Sequence, residues 1–270
     1  MVYSLQMDIP IELFQLILEQ SDFLTQIRFR CVDKLFYTKL EIHDFWNIKA
    51  KYSKLLTDEI LQLHSFVTDL TIVDNPNITN INHMTRLKKL FIFGKCNIDN
   101  TGISNVNVKY LNLRYYDKIT NVNHMSILEI LYANSRTCGI DNAGIANLNL
   151  VALYAADNTK ITNVNHMTNL QVLEASGTCG IGDDGIRNLN LIKLDAGYNK
   201  KITNVNHMTR LEILDAGWRC GINSGGISNL NLKELYADYN PRIKAADVAH
   251  MHNLRIVSMN VCPEGQGILL

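Results

Sequence analysis

Five cysteines, Cys96, Cys138, Cys179, Cys220 and Cys262, recur at an almost constant step of about 41 residues, the kind of fixed spacing that repeat proteins show. Histidines keep the same step: His83, His124, His166 and His207 share one frame, and His250 follows after a small expansion. Periodic Cys and His suggest zinc or thiol chemistry, and distance decides against both. Equivalent residues two repeats apart in a stacked array lie about 10 Å from each other, given about 4.8 Å between strands. A disulfide needs Cα atoms within about 7 Å, and zinc holds ligands at about 2.0 to 2.3 Å. The cysteines therefore read as small buried residues lining a turn, and the histidines, each just before an inward Met, as capping residues near the return surface. No Ser-His-Asp order, phosphate loop or metalloprotease motif occurs. The expectation is a protein with no catalytic residues, metal or cofactor.

A period of about 41 residues is itself the signature of a repeat architecture. The apolar pattern Leu-x-x-Leu-x-(Leu/Ala) appears twice in it, starting at Val67, Leu87, Val108, Leu128, Leu150, Leu170, Leu191, Leu211, Leu232 and Leu254. Each unit predicts a short strand whose first, fourth and sixth side chains point inward, as Leu170, Leu173 and Ala175. One such unit cannot bury its apolar side alone, so neighbours must stack. Two kinds alternate. One ends in Asn (Asn75, Asn158, Asn199, Asn240), whose side chain suits the orphan backbone groups of adjacent turns; its apolar residues at every third position suggest a tight 3₁₀-like return. The other carries Cys and then glycines that permit a sharper turn. Tyr116 stands where the first series would have Asn, which predicts a looser turn there.

From Val67 onward the chain resembles leucine-rich-repeat proteins, the Cys-bearing units being similar to that family's cysteine-containing class. The expected fold is α/β: a short N-terminal helical part, then a solenoid of about ten repeats with a parallel concave sheet and an irregular or 3₁₀ convex side.

The stretch before Val67 does not fit the repeat and reads as helices, with Pro10 in a first turn and Leu13, Leu16, Ile17 and Leu18 on one broad face. The run Ile9-Pro10-Ile11-Glu12-Leu13 with Ile17-Leu18, then Val32-Asp33-Lys34-Leu35-Phe36, then Asp44-Phe45-Trp46, resembles an F-box. That family opens on Leu-Pro-x-Glu-Leu with an Ile-Leu pair and reaches Val-x-Lys/Arg-x-Trp/Phe at a fixed distance. Ser21 and Gln26 stand where its members carry Leu, which implies weaker adaptor contact or helix packing. The order, F-box before repeats, is that of F-box/leucine-rich-repeat proteins, and the Asn- and Ile-rich style also resembles members encoded by large DNA viruses of amoebae. The expected organisation is an F-box over 1–48, a connecting helix or cap over 49–66 and a solenoid over 67–270.

What the resemblance implies is a substrate-recognition subunit of an SCF-type, cullin-RING ubiquitin ligase. Ile9, Pro10, Glu12, Leu13, Ile17, Leu18, Val32, Lys34 and Phe36 would bind the adaptor and through it the cullin. The alternative is a non-degradative scaffold or a decoy that occupies the adaptor. A ligase with its own catalytic Cys is disfavoured, since only Cys31 lies outside the repeat.

Strand alternation points the third, fifth and seventh positions of each unit away from the core. The fifth positions include Tyr132, Tyr154, Glu174, Asp195, Asp215 and Tyr236, and Tyr198, Trp218 and Tyr239 follow at the turn. Aromatics beside carboxylates make a candidate target-binding surface, suited to a basic partner.

Composition sets the remaining limits. With 26 Lys+Arg against 26 Asp+Glu, 47% hydrophobic and 19% charged residues, the chain reads as folded rather than disordered. It lacks the basic footprint of a nucleic-acid binder. No apolar run approaches the roughly 18 to 20 residues of a membrane span, and Asp8 and Glu12 interrupt the start where a signal peptide would be apolar. The expected location is cytoplasmic or nuclear, in a host cell if the source is viral.

Overall fold

The computed structural model describes residues 10–19, 21, 23–32, 34–40, 42, 44–45 and 53–260. Ile9, Asp33, Trp46, Cys262 and the tail from Pro263 lie outside them. The chain forms two compact units, Met1–Val108 and Lys109–Leu270.

In the first unit, α1 (Ile11–Glu19), α2 (Phe23–Arg30) and α3 (Lys34–Lys39) follow one another. One phenylalanine from each meets the others: Phe14 lies 4.7 Å from Phe36 and 6.0 Å from Phe29, and Phe29 stacks on Phe36 at 5.1 Å. Leu18 is buried one turn beyond Phe14, so the 14/18 side of α1 faces inward and the 13/16/17 side does not. Gln26, read from the sequence as a poor packing residue, is buried, and its Nε2 donates to the Ser21 carbonyl at 2.8 Å. A polar group at this point is satisfied, so it costs little.

Purely helical structure ends earlier than the sequence suggests. Asp44–Phe45 form a strand, β1, paired in parallel with Asp69 and Leu70 of β2 (Asp69–Val73), which pairs with β3 (Lys89–Phe93). The segment between, including the helix Asp58–Leu63, already behaves as a coil of the repeat. Ser53, Leu56 and Leu61 are buried. Asn75 Nδ2 donates to the carbonyls of Ser53 (2.6 Å) and Leu56 (2.9 Å), and the Asp58 carboxylate accepts from Thr79 N at 2.9 Å.

The second unit is a parallel leucine-rich-repeat solenoid. Its strands are β4 (Tyr110–Asn112), β5 (Ile130–Tyr132), β6 (Ala152–Tyr154), β7 (Val172–Glu174), β8 (Lys193–Asp195), β9 (Ile213–Asp215), β10 (Glu234–Tyr236) and β11 (Ile256–Ser258), each paired with the next. The central residues Leu111, Leu131, Leu153, Leu173, Leu194, Leu214 and Leu235 form one register and are all buried. Cys138, Cys179 and Cys220 are also buried, which pushes each thiol up to about 11. Tyr116 fills the interior in place of an Asn, and its carbonyl accepts from Gly139 N.

The Asn series bonds across turns as expected. Asn199 Nδ2 donates to the carbonyls of Ala175 (2.7 Å) and Ile181 (3.0 Å), and its Oδ1 accepts from Lys201 N (2.8 Å). Asn158 and Asn240 repeat the pattern. Asn199→Ala therefore strands two carbonyls and one N–H. At about 1 to 3 kcal/mol for an orphaned buried group, with part of the loss recovered by relaxation, the variant is expected to lose about 3 kcal/mol in denaturant melts. A change under about 1 kcal/mol would deny the ladder this role.

The returns differ from expectation. The 3₁₀-like or helical turns Ala143–Ile145, Asp183–Ile186 and Ser224–Ile227 belong to the Cys-type units, and only the Asn-type unit after Asn240 has one, Ala245–Val248. Asx chemistry accounts for the reversal at two of the three Cys-type turns; Asp183–Ile186 starts after Gly182 with no side-chain cap. In the Cys type, Asp141 and Asn223 accept from the N–H three residues on, at 2.9 and 3.1 Å, as helix caps do. In the Asn type, Asn121, Asn163 and Asn204 accept from the N–H two residues on, each at 3.0 Å, closing Asx turns instead. Gly144 and Gly185 let the Cys-type turn press on its neighbour, since a Cβ there would lie 2.0 and 2.2 Å from the Thr120 and Thr162 carbonyl oxygens.

Candidate functional site

Two surfaces come into question, one in each unit. In the first, α1 to α3 leave apolar side chains outside. Leu13 is 48%, Ile17 54% and Val32 73% exposed, and Leu16 and Leu35 are exposed with them. Pro10, Glu12 and Lys34 are exposed too. Phe36, by contrast, packs within the phenylalanine cluster, and Leu18 supports α1 from inside. The sequence pattern thus sorts into surface residues and residues that hold the helices beneath them.

In the second unit the outward fifth positions lie in register: Asn112, Tyr132, Tyr154, Glu174, Asp195, Asp215, Tyr236 and Ser258. Tyr132 and Tyr154 stack at 4.0 Å with ring planes 4° apart, and Tyr110 joins Tyr132 at 5.3 Å. Burial within this stack, with the hydrogen bond to Tyr154, pushes the Tyr132 phenol up.

The three acids follow. Burial raises each of them, and like charge adds to it: Asp195 acts on Glu174, Asp215 on Asp195 and Asp238 on Asp215. Asp195 and Asp215 fold back to accept from Gly197 N and Gly217 N, both at 2.9 Å. Lys193, the first residue of β8 and the outward third position of its unit, opposes the rise at all three. Asp238, two residues beyond Tyr236, is lowered instead by Ser258 Oγ and Asn260 N, both donating at 2.7 Å.

Beyond the strands runs a second row. Tyr198 stacks on Trp218 at 5.2 Å with planes 9° apart, and Trp218 meets Tyr239 at 4.4 Å. These three residues have φ of 62°, 57° and 58°, in the left-handed region. The cause is the repeat itself. Their N–H groups donate to the carbonyls of Gly217, Asp238 and Asn260 in the following unit, and the turn that allows this falls at φ above zero. Ser135, Asp157 and Gly177 occupy the same position in other units, also at positive φ. Such a site favours Gly, Asn or Asp and costs a bulky residue about 1 to 2 kcal/mol. Placing three aromatics there opposes local preference and gains a contiguous aromatic row in which Tyr198 and Trp218 are exposed.

The raised acids give a stability prediction. A carboxyl raised in the folded chain binds its proton more tightly there than in the unfolded chain, so the associated stability is fully present below the ordinary carboxylate value and is lost as pH rises through the folded value. Asp195→Asn with Asp215→Asn removes that loss. The variant is expected to melt at a higher temperature than the wild type at pH 7, with the difference shrinking toward pH 4. A gap that widens as pH falls would contradict the sign.

Among the described residues, no three His, Cys, Asp or Glu side chains converge to hold a metal ion, and no helix is long and apolar enough to cross a membrane. His166 and His207 reach back to the carbonyls of Ile145 (3.2 Å) and Ile186 (3.1 Å), a structural use.

No known protein-family model matches the sequence, and no curated protein matches it. Among solved structures, an internalin (inlF) from Listeria monocytogenes covers 74% of this chain and 70% of its own at 18% identity and a TM-score of 0.48. The Rad7 and Elc1 complex in yeast covers 80% of each chain at 13% identity and a TM-score of 0.37. At these values neither likeness bears on function; the fold assignment rests on this chain's own strand register and repeat.

Proposed function

We propose that this protein is the substrate-recognition subunit of an SCF-type ubiquitin ligase, with no active site of its own. The helices α1 to α3 bind the ligase adaptor, and with it the cullin, through Pro10, Leu13, Ile17, Val32 and their neighbours. The exposed sheet face of the second unit binds a target protein of basic character through Tyr132, Tyr154, Glu174, Asp195, Asp215 and Tyr236 and the row Tyr198, Trp218, Tyr239. Catalysis then comes from partners, as a gain in effective concentration. The observation that carries this reading is the set of exposed apolar side chains, Leu13, Leu16 and Ile17 on α1, Val32 after α2 and Leu35 on α3, in a stretch whose spacing resembles an F-box. Exposed apolar side chains, where they gather on one surface, mark interaction sites.

Affinity purification of the tagged full chain from eukaryotic cells, followed by mass spectrometry, tests it. The expected result is recovery of adaptor and cullin together with a target that carries ubiquitin only when α1 to α3 are intact. Recovery of adaptor with an unmodified target would select the decoy or scaffold alternative. Recovery of targets without adaptor or cullin would overturn the ligase reading.

A further inference from the structure

At the turns after β8, β9 and β10 the rings of Tyr198, Trp218 and Tyr239 touch in one line, Tyr198 to Trp218 at 5.2 Å and Trp218 to Tyr239 at 4.4 Å. Tyr198 and Trp218 are large side chains left exposed. Beside them Asp195 and Asp215 stand in strand register. Parallel pairing sets each step along the stack at about 4.8 Å, so the first and third rings belong to units about 10 Å apart.

Glycine separates the acids from the rings. The two units read Asp195-Ala196-Gly197-Tyr198 and Asp215-Ala216-Gly217-Trp218. Both alanines are buried, so the glycine is the position from which a side chain would stand between carboxylate and ring. Other units carry Arg114, Asn134 or Ser176 there. Asp195 and Asp215 use the space to fold Oδ1 back onto Gly197 N and Gly217 N. A Cβ on Gly197 would lie 3.3 Å from the Asp195 oxygen, and one on Gly217 3.2 Å from that of Asp215. Among the described residues, Oδ2 of each carboxylate accepts no hydrogen bond. Lys193 is the cation that acts on both, one charge against two.

The spacing of the row selects the form of its guest. A polyproline II segment rises about 3.1 Å per residue with three residues per turn, so it returns the same face every 9.3 Å or so, close to two steps of the row. An extended strand returns a face after about 6.7 Å and an α-helix after about 5.4 Å, and neither keeps step. Polyproline II also leaves its carbonyls free of internal hydrogen bonds, and the Tyr hydroxyls and the indole N–H of Trp218 are donors. Aromatic-lined surfaces are what such segments dock on. The excess of carboxylate beside the rings calls for a cation on the guest. A planar guanidinium suits two neighbouring carboxylates and stacks on aromatic faces, which an ammonium does not.

We infer that the target presents to this face a proline-rich segment in the polyproline II form, with proline rings on Tyr198, Trp218 and Tyr239 and an arginine on Asp195 and Asp215. The inference rests on the target-binding reading above and gives that target its chemical class.

The test is calorimetric titration of the full chain, without adaptor, with three peptides of equal length built from Pro-Pro-Arg, Gly-Gly-Arg or Pro-Pro-Glu triplets. Pro-Pro-Arg is expected to bind saturably and at least tenfold more tightly than Gly-Gly-Arg, and Pro-Pro-Glu to give no saturable binding. Trp218→Gly, and Asp195→Asn with Asp215→Asn, should each weaken Pro-Pro-Arg binding at least tenfold, with melting curves showing both variants folded. Equal affinity for Gly-Gly-Arg would overturn the polyproline inference and leave the basic-target reading in place. Saturable binding of Pro-Pro-Glu, wild-type affinity in both folded variants, or no binding of any peptide would overturn the inference as well. Recovery of adaptor and target from cells then still decides the ligase reading by itself.

Discussion

Leu13→Glu combined with Ile17→Glu is expected to abolish recovery of adaptor and cullin while leaving the protein folded. Both side chains are about half exposed, so a carboxylate at either position stays in water in the isolated chain. On docking the same carboxylates would be taken out of water opposite an apolar surface, which costs several kcal/mol for an unpaired charge. The interface loses two apolar anchors as well, each worth about 2 kcal/mol where it is a hot spot. Together these exceed what a micromolar complex, at about 8 kcal/mol, can spare and still be captured. Leu18→Ala separates surface from core. Leu18 lies buried beneath the same helix, and removing it costs about 2 to 5 kcal/mol of stability. The melting curve should therefore move for Leu18→Ala and stay in place for the double Glu variant. Adaptor recovered at wild-type levels by the double variant would remove the basis of the ligase reading.

Trp218→Gly is expected to lower target affinity about 30-fold, or about 2 kcal/mol for a hot-spot aromatic, with stability within about 1 kcal/mol of wild type. Loss of a large side chain normally destabilises, and here two terms oppose. Stacking against Tyr198 and Tyr239 is lost, at about 0.5 to 1.5 kcal/mol per pair. Relief of the left-handed conformation at φ 57° returns about 1 to 2 kcal/mol. Since Trp218 is 41% exposed, little core goes with it. Asp195→Lys with Asp215→Lys should slow association, most at low salt, because the half-buried carboxylates still steer a basic partner over a Debye length of about 10 Å at 0.1 M salt. Adaptor recovery should be untouched in all these variants. Unchanged target recovery from both would move the binding site off this face.

The repeat itself could be read from the sequence alone, and the reason is physical. In a solenoid each unit contacts only its neighbours, so the recurrence of one short apolar pattern from unit to unit fixes which side chains point inward. Leu170, Leu173 and Ala175 are buried as that pattern requires. The Asn ladder was legible on the same ground, because Asn158, Asn199 and Asn240 each bond the carbonyl 18 residues back. So was the alignment of Glu174, Asp195 and Asp215, since in-register stacking turns equal positions into neighbours.

Tertiary structure decided what depends on atoms rather than positions. Whether Asp44 and Phe45 extend a sheet rests on a free edge being available at Asp69 and Leu70. Whether an Asn closes an Asx turn or caps a helix rests on which N–H, two or three residues on, its Oδ1 meets. The left-handed backbone under Tyr198, Trp218 and Tyr239 is set by carbonyls of the next unit, against the preference of those residues.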